Sequence, residues 1–165
     1  MGDRTGQSNS RGVGWEYVHI CIDDASRLAV TDIHPDEKAT SAIACLRALV
    51  AYCLRLGITV ARVMTDNGSC YKSFAFAAAC NALNLKHIRT KPYTPKTNGK
   101  AERFIQTALR EWAYCRPYSS SAQRRRSLDP WLRYYNHRRP HGGIKGATPI
   151  SRLTQPANNV VGIHI

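Results

Sequence analysis

Asp66 and Glu102 are the two residues of this 165-residue chain whose types and settings could do chemistry together. The apolar run Ile58–Ala61 and Arg62-Val63-Met64-Thr65 read as a buried strand, and Asp66-Asn67-Gly68 ends it in a turn. Asp66 is thereby expected at the strand's C-terminal tip, where open α/β sheets carry their chemistry. Glu102 falls in the first turns of a helix whose other face bears Ile105, Ala108, Leu109 and Trp112, which turns the carboxylate away from the core. Two acids on one rim suggest a divalent metal. Lys96, Lys100 and Arg103 lie beside Glu102 in sequence, and Gln106 and Arg110 follow it at four-residue steps on the same face. That company suits a phosphodiester, because a metal offsets the carboxylates while Lys and Arg hold flanking phosphates. Each acid also has a plainer reading: Asp-Asn-Gly is a common turn, and a glutamate near a helix N-terminus is favoured by the macrodipole alone.

The elements that must position these acids can be read in order. Met1–Gly14 is rich in Gly, Ser and Arg with little to bury, and is expected to be a mobile segment. Trp15–Ile22 and Arg27–Ile33 read as a hairpin around the turn Asp23-Asp24-Ala25-Ser26, in which Asp23 and Asp24 are most simply turn formers. A helix with Ala39, Ile43, Leu46, Val50, Cys53 and Leu54 at helical spacing runs to Gly57. An alanine-rich helix over Lys72–Leu83, a short strand Lys86–Thr90 and a Pro-held loop Lys91–Thr97 then lead to the Glu102 helix, which Arg116-Pro117 ends. A last helix opens at Ser119-Ser120-Ser121, carries Arg124, Arg125 and Arg126, and presents Leu128, Trp131, Leu132, Tyr134 and Tyr135 as core before Pro140. A core is thus expected over residues 15–153, with 154–165 a tail that bears no charged side chain and carries no message.

The chain is long enough for one domain and 43% hydrophobic, which excludes a disordered tail. Its net charge of +13 is unevenly placed: residues 1–85 hold 8 Lys/Arg against 8 Asp/Glu, residues 86–165 hold 16 against 3. Since no apolar stretch is long enough to span a membrane, nucleic acid is the polyanion such asymmetry best fits. The six cysteines show no Cys-x-x-Cys pair and read as reduced thiols in a cytosol. His137 and His141 stand four apart as on a zinc-binding helix, but Pro140 breaks that helix.

The Thr65–Ser69 turn, the thirty-five residues between Asp66 and Glu102, and the run Pro92-Tyr93-Thr94-Pro95-Lys96-Thr97-Asn98-Gly99-Lys100-Ala101-Glu102-Arg103-Phe104 closely resemble the integrase-type catalytic core of bacterial insertion-sequence transposases, relatives of retroviral integrases. Tyr135, Asn136, Arg139, Pro140 and His141 match a downstream segment of the same family. The resemblance implies an α/β fold, an RNase H-like mixed sheet flanked by helices. It implies metal-dependent DNA cleavage and strand transfer with Mg²⁺ or Mn²⁺, acting on transposon ends and target DNA as a homo-oligomer in the bacterial cytoplasm, associated with the nucleoid. Two aspartates and a glutamate hold metal in that family; Asp66 matches the second acid and Glu102 the third. Asn67, Asn98, Lys100, Arg103 and Arg139 match its motifs and, with Lys96, Gln106, Arg110, Arg124, Arg125 and Arg126, form the expected DNA-binding set.

The family's first acid sits on a strand upstream of Trp15–Ile22, where this sequence has only Met1–Gly14, with Asp3 and no strand pattern. The expectation is therefore a sheet lacking its first strand, with two unpaired edges and one missing acid; Asp24 or Asp23 would serve only if the hairpin were rearranged. Activity of the chain alone is expected to be absent. Two other readings stay open: a non-catalytic DNA-binding or subunit-interaction remnant, and a related RNase H-like nuclease.

Overall fold

The computed structural model describes residues 16–91, 99–153 and 160–164. Strand β1 (Tyr17–Asp23) and strand β2 (Ala29–His34) pair antiparallel from Tyr17↔His34 to Ile22↔Ala29, as the alternation of the hairpin requires. The turn between them closes with Asp23 N–H donating to the Leu28 carbonyl, and Arg27 takes a left-handed backbone. Helix α1 (Ala39–Arg55) crosses to strand β3 (Arg62–Thr65), shorter than the Ile58–Thr65 run suggested. The helix expected over Lys72–Leu83 is α3 (Phe74–Ala82), and a single further turn, α2 (Ser69–Lys72), precedes it. Ser73 divides them: its backbone is extended, and its hydroxyl accepts from Phe76 N–H while donating to the Cys70 carbonyl. Strand β4 (Lys86–Arg89) runs parallel to β3. Helix α4 (Gly99–Ala108), helix α5 (Ser121–His137) and the short α6 (Pro149–Arg152) follow.

The expected gap in the sheet is filled. Strand β5 (Val160–His164), which falls in the stretch read as an uninformative tail, lies between β1 and β3 in a five-stranded sheet of order β2-β1-β5-β3-β4. It runs antiparallel to β1, from Ile20↔His164 to Asp23↔Val161, and parallel to β3, from Arg62↔Val160 to Thr65↔Ile163. The correction has a physical cause. Two ribbons with facing unpaired edges leave backbone donors and acceptors without partners inside a core, and the β-branched run Val160-Val161 with Ile163 supplies a strand that satisfies both.

Each face of this sheet buries its own core. Cys21, Val63 and Leu85 join Ala42, Cys45, Leu46 and Leu49 of α1 and Phe76 and Cys80 of α3 on one side. On the other, Ile20, Ile22, Ala29 and Ile33 pack against Ala101, Phe104 and Ala108 of α4, with Trp112, Leu128 and Tyr135. Successive residues of β1 thus enter opposite cores, as the two-residue period of a doubly covered strand dictates. The Glu102 helix does not continue regularly: Leu109–Ala113 is one turn of π-helix, with Tyr114 N–H donating to the Leu109 carbonyl. The extra residue in that turn shifts the helical faces around it, so Leu109, expected in the core, is 43% exposed while Trp112 stays buried. Tyr134, also expected in the core, is 48% exposed.

Asn136 ties α5 to the sheet edge. Its side chain accepts from Ala29 N–H at 2.9 Å and donates to the Ala29 carbonyl at 2.8 Å, standing in for a neighbouring strand. Asn136→Ala strands both buried backbone groups, and the expected loss is about 2–4 kcal/mol of unfolding free energy in urea titrations. Asn136→Asp, which sets a carboxylate oxygen against the Ala29 carbonyl and buries a charge, is expected to lose at least as much at neutral pH.

Candidate functional site

Asp66 stands one residue beyond β3, half-buried, with Oδ1 accepting Gly68 N–H at 2.8 Å. This turn is closed tightly: a Cβ on Gly68 would sit 3.1 Å from that same oxygen. Neighbouring contacts brace it from two sides. The Asn67 amide donates to the Thr90 carbonyl at 2.9 Å, joining the ends of β3 and β4, and Thr65 Oγ1 meets His87 Nε2 at 2.8 Å. Burial pulls the His87 imidazole below its ordinary range, so it serves there as a neutral partner. Asn67, expected to touch DNA, is held by this brace.

Glu102 is exposed in the first turn of α4, with exposed Arg103 beside it and Gln106 one turn on. Lys100 anchors the start of that helix by donating to the Asp24 carboxylate, and to the Asp24 carbonyl at 3.2 Å. Strand directions show which end of the sheet this is. Through Val161, Asp23 is level with Val63, so Asp23 lies three residues short of Asp66, about 10 Å along the strand axis, and Asp24 farther still. Carboxylates that share a metal must both lie within about 2.5 Å of it, so neither Asp23 nor Asp24 shares one with Asp66 in this arrangement. Asp23 instead closes its own turn, accepting from Ser26 N–H at 2.7 Å and Ser26 Oγ at 2.6 Å.

Among the described residues no three His, Cys, Asp or Glu side chains converge as metal ligands. Two-metal phosphoryl transfer needs carboxylates to anchor and bridge its cations. The described side chains therefore do not by themselves fit such a centre.

The basic residues divide by whether the chain itself neutralises them. Arg124 and Arg125 donate to Glu16 at 2.9 and 3.1 Å, and Ser121 Oγ donates to the same carboxylate. Arg139 grips Glu111 with Nε at 3.0 Å and Nη2 at 2.8 Å, and its guanidinium lies 5.9 Å from the Tyr135 ring centre. Arg110, moved by the π turn, lies 3.3 Å from Glu111 as well. Arg103 and Arg126 have no ion-pair partner among the described residues and are exposed. Lys96 and Asn98 lie outside the described residues. The downstream motif is thus occupied within the fold: Asn136 caps β2, Arg139 holds Glu111, and His141, pulled down by burial, makes a 3.3 Å contact to the Tyr135 carbonyl. Residue-type reasoning passed over Glu16 and Glu111. The signal for both was their rarity, isolated acids in a chain of strong positive excess.

A family model described as an integrase core domain matches residues 2–95, more than half of the chain, and a second of the same description matches residues 83–149. The chain belongs to the integrase core domain family. A putative integrase of Spiroplasma virus SpV1-C74 is 27% identical over 150 residues, covering 83% of this chain and 41% of its own. The transposase InsD of an IS2 insertion element from Escherichia coli is 30% identical over 96 residues, covering 58% of this chain and 32% of its own. This integrase core spans less than half the length of these curated relatives. Among solved structures, the simian T-cell lymphotropic virus intasome in complex with the PP2A regulatory subunit B56 gamma superposes with a TM-score of 0.69 at 25% identity, over 84% of this chain and 48% of that one. The catalytic core domain of BIV integrase gives 0.66 at 23%, over 86% and 90%. That of HTLV-2 integrase in complex with magnesium gives 0.59 at 19%, over 84% of each chain. The fold is that of a retroviral integrase catalytic core, RNase H-like.

The ion pairs generate two expectations. Lysine cannot reproduce a two-pronged guanidinium, so Arg139→Lys is expected to lower unfolding stability by about 1–2 kcal/mol while leaving the salt dependence of DNA binding unchanged. Glu16 is held down to about 2, from an ordinary 4.5, chiefly by the Ser121 hydroxyl and then by Arg124 and Arg125, against the opposing effect of burial. A depressed carboxylate contributes its full stability above its ordinary range and loses it as pH falls through the folded value. Urea midpoints should accordingly drop between pH 4.5 and 2 in the native chain, and less in Glu16→Gln, which has no such proton to take up.

Proposed function

We propose that this chain is the catalytic core of an insertion-sequence transposase, which binds DNA through its unneutralised cations and requires a further acid before it can cut and join strands. The observation that carries the reading is the pairing of exposed Glu102 with exposed Arg103, which has no ion-pair partner among the described residues, in the first turn of α4, in a chain of the integrase core domain family. An acid with an exposed guanidinium beside it suits a phosphodiester whose phosphate must be held while a cation is bound nearby. Asp66, fixed in its turn, is the second acid of this proposal. Mg²⁺ or Mn²⁺ is the cofactor, in keeping with the magnesium complex of the HTLV-2 core.

The substrates of the whole protein are transposon ends and target DNA, and its working form is a homo-oligomer. The HTLV-2 core, described in dimeric and trimeric forms, supports the latter. A bacterial cytoplasm, near the nucleoid, is the compartment in which such a core meets DNA. Among the described residues no helix is long and apolar enough to cross a membrane. One observation favours a second reading, a DNA-binding module without catalysis: the first turn of α4 is anchored to Asp24, away from Asp66, and no three-ligand cluster forms among the described residues.

Fluorescence anisotropy on unrelated duplexes tests the DNA-binding half common to both. Affinity is expected to be insensitive to sequence and to fall steeply with salt, with Arg103→Ala and Arg126→Ala each reducing the slope of log K against log salt by about 1. Flat salt dependence, or a strong preference for one duplex, sinks it. Mn²⁺-dependent strand joining by the chain alone would overturn the requirement for a further acid.

A further inference from the structure

The π turn at Leu109–Ala113 leaves Leu109 exposed and interrupts the regular ladder of the Glu102 helix. Turns of this kind recur at functional sites. What this one positions is Glu111, which Arg139 grips from beyond the end of α5. Together with Trp131, Tyr134 and Pro140, the pair lines a groove of about 700 Å³ that opens to solvent, within the size range of small-molecule sites. Its walls are aromatic and its floor is charged. Trp131 stacks on Trp112 and packs against Tyr135 towards the core, whereas Tyr134 is 48% exposed. The Arg139 guanidinium holds the Glu111 carboxyl below its ordinary range, so the floor stays an ion pair near neutral pH. Arg110, 3.3 Å from the same carboxylate, adds a second guanidinium. Two cations on one acid leave the floor positive. Arg138, seven residues beyond Trp131 and four beyond Tyr134, continues their stripe to the rim, exposed and with no ion-pair partner among the described residues.

We propose that this groove seats an unpaired nucleotide of single-stranded DNA, with its base against Tyr134 and Trp131 and its flanking phosphates on Arg138 and Arg110, an inference that rests on reading this chain as a core that acts on DNA. Every base has a π face, and Tyr and Trp rings are platforms on which it stacks whatever its identity. In a duplex both faces of a base are covered by its neighbours, so a platform of this kind selects strands parted from their complements. A proline-rich peptide also suits aromatic walls, but it leaves two guanidiniums on one carboxylate, and a third at the rim, with nothing to neutralise them. A phosphodiester supplies that charge and accepts from guanidinium donors. Glu111 lies nine residues beyond Glu102, about 13 Å along the helix axis. The groove is therefore a seat distinct from the proposed acid, within reach of one strand a few nucleotides long.

The test follows the fluorescence anisotropy of three labelled probes of equal length on the full chain: a single strand, the same strand made abasic throughout, and a duplex. The native chain is expected to bind the single strand about fivefold more tightly than the abasic strand, or better, because the two carry the same phosphates and differ only in what can stack. Tyr134→Ala should remove most of that difference and leave duplex affinity as it was, while Tyr134→Phe, which keeps the ring, should retain it. Arg138→Ala is expected to lower the slope of log K against log salt for the single strand by about 0.7. Urea midpoints of the variants, matched to the native chain, show that the fold is intact. Equal affinity for the single and abasic strands, or a single-strand affinity that Tyr134→Ala leaves unchanged, overturns the proposal while duplex binding stands. A proline-rich peptide whose binding is lost in Tyr134→Ala, with the oligonucleotides unaffected, overturns the nucleotide as occupant. A chain that binds none of the DNA probes in a salt-dependent way overturns both this seat and the DNA-binding reading beneath it.

Discussion

Backbone pairing of Val160–His164 with β1 and β3 turns two ribbons into one sheet. Without it the hairpin of β1 and β2 and the parallel pair of β3 and β4 would face each other across a row of unpaired donors and acceptors, at about 1 kcal/mol net for each hydrogen bond lost. Both cores depend on the same join. Cys21 packs towards α1 and α3 while Ile20 and Ile22 pack towards α4 and α5, so the placing of β1 beside β5 sets where every flanking helix lies. The position of Asp66 relative to α4 is a consequence of that join as well.

Acids are scarce in this chain, and three of those described fix helices. Glu16 receives Ser121, Arg124 and Arg125 at the start of α5, Glu111 receives Arg139 beyond its end, and Asp24 receives Lys100 at the start of α4. The first and second of these pairs are partly withdrawn from solvent, which raises their weight above that of exposed pairs. Cations bound in this way are neutralised inside the fold, whereas Arg103 and Arg126 are exposed and have no ion-pair partner among the described residues. Net charge alone would have assigned all of them to DNA.

The Asp66 turn shows how a rigid site is made from short-range contacts. Gly68 allows its own N–H to approach the carboxylate, Asn67 crosses to Thr90, and the Thr65 hydroxyl meets a neutral His87. Each contact ties the end of β3 to its own turn or to β4, so the acid is oriented even though α4 is anchored elsewhere. Orientation of a single carboxylate is a local property; convergence of several is not.

The sequence by itself determined the class of fold, the hairpin, the turn that carries Asp66 and the exposure of Glu102, because these depend on alternation, turn chemistry and helical period within a few residues. It also determined membership of a family, since the Thr65–Ser69 and Pro92–Phe104 runs are specific as written. Only the tertiary structure decided what occupies the middle of the sheet. The β-branched run at Val160–Ile163 was visible, but whether such a run pairs as a strand, and with which partners, depends on edges contributed by residues far away in the chain. The same holds for Asn136, Arg139 and Asp24. Local pattern offered them as motif residues, cations or turn formers, and their partners Ala29, Glu111 and Lys100 became known only when folding brought separate elements together.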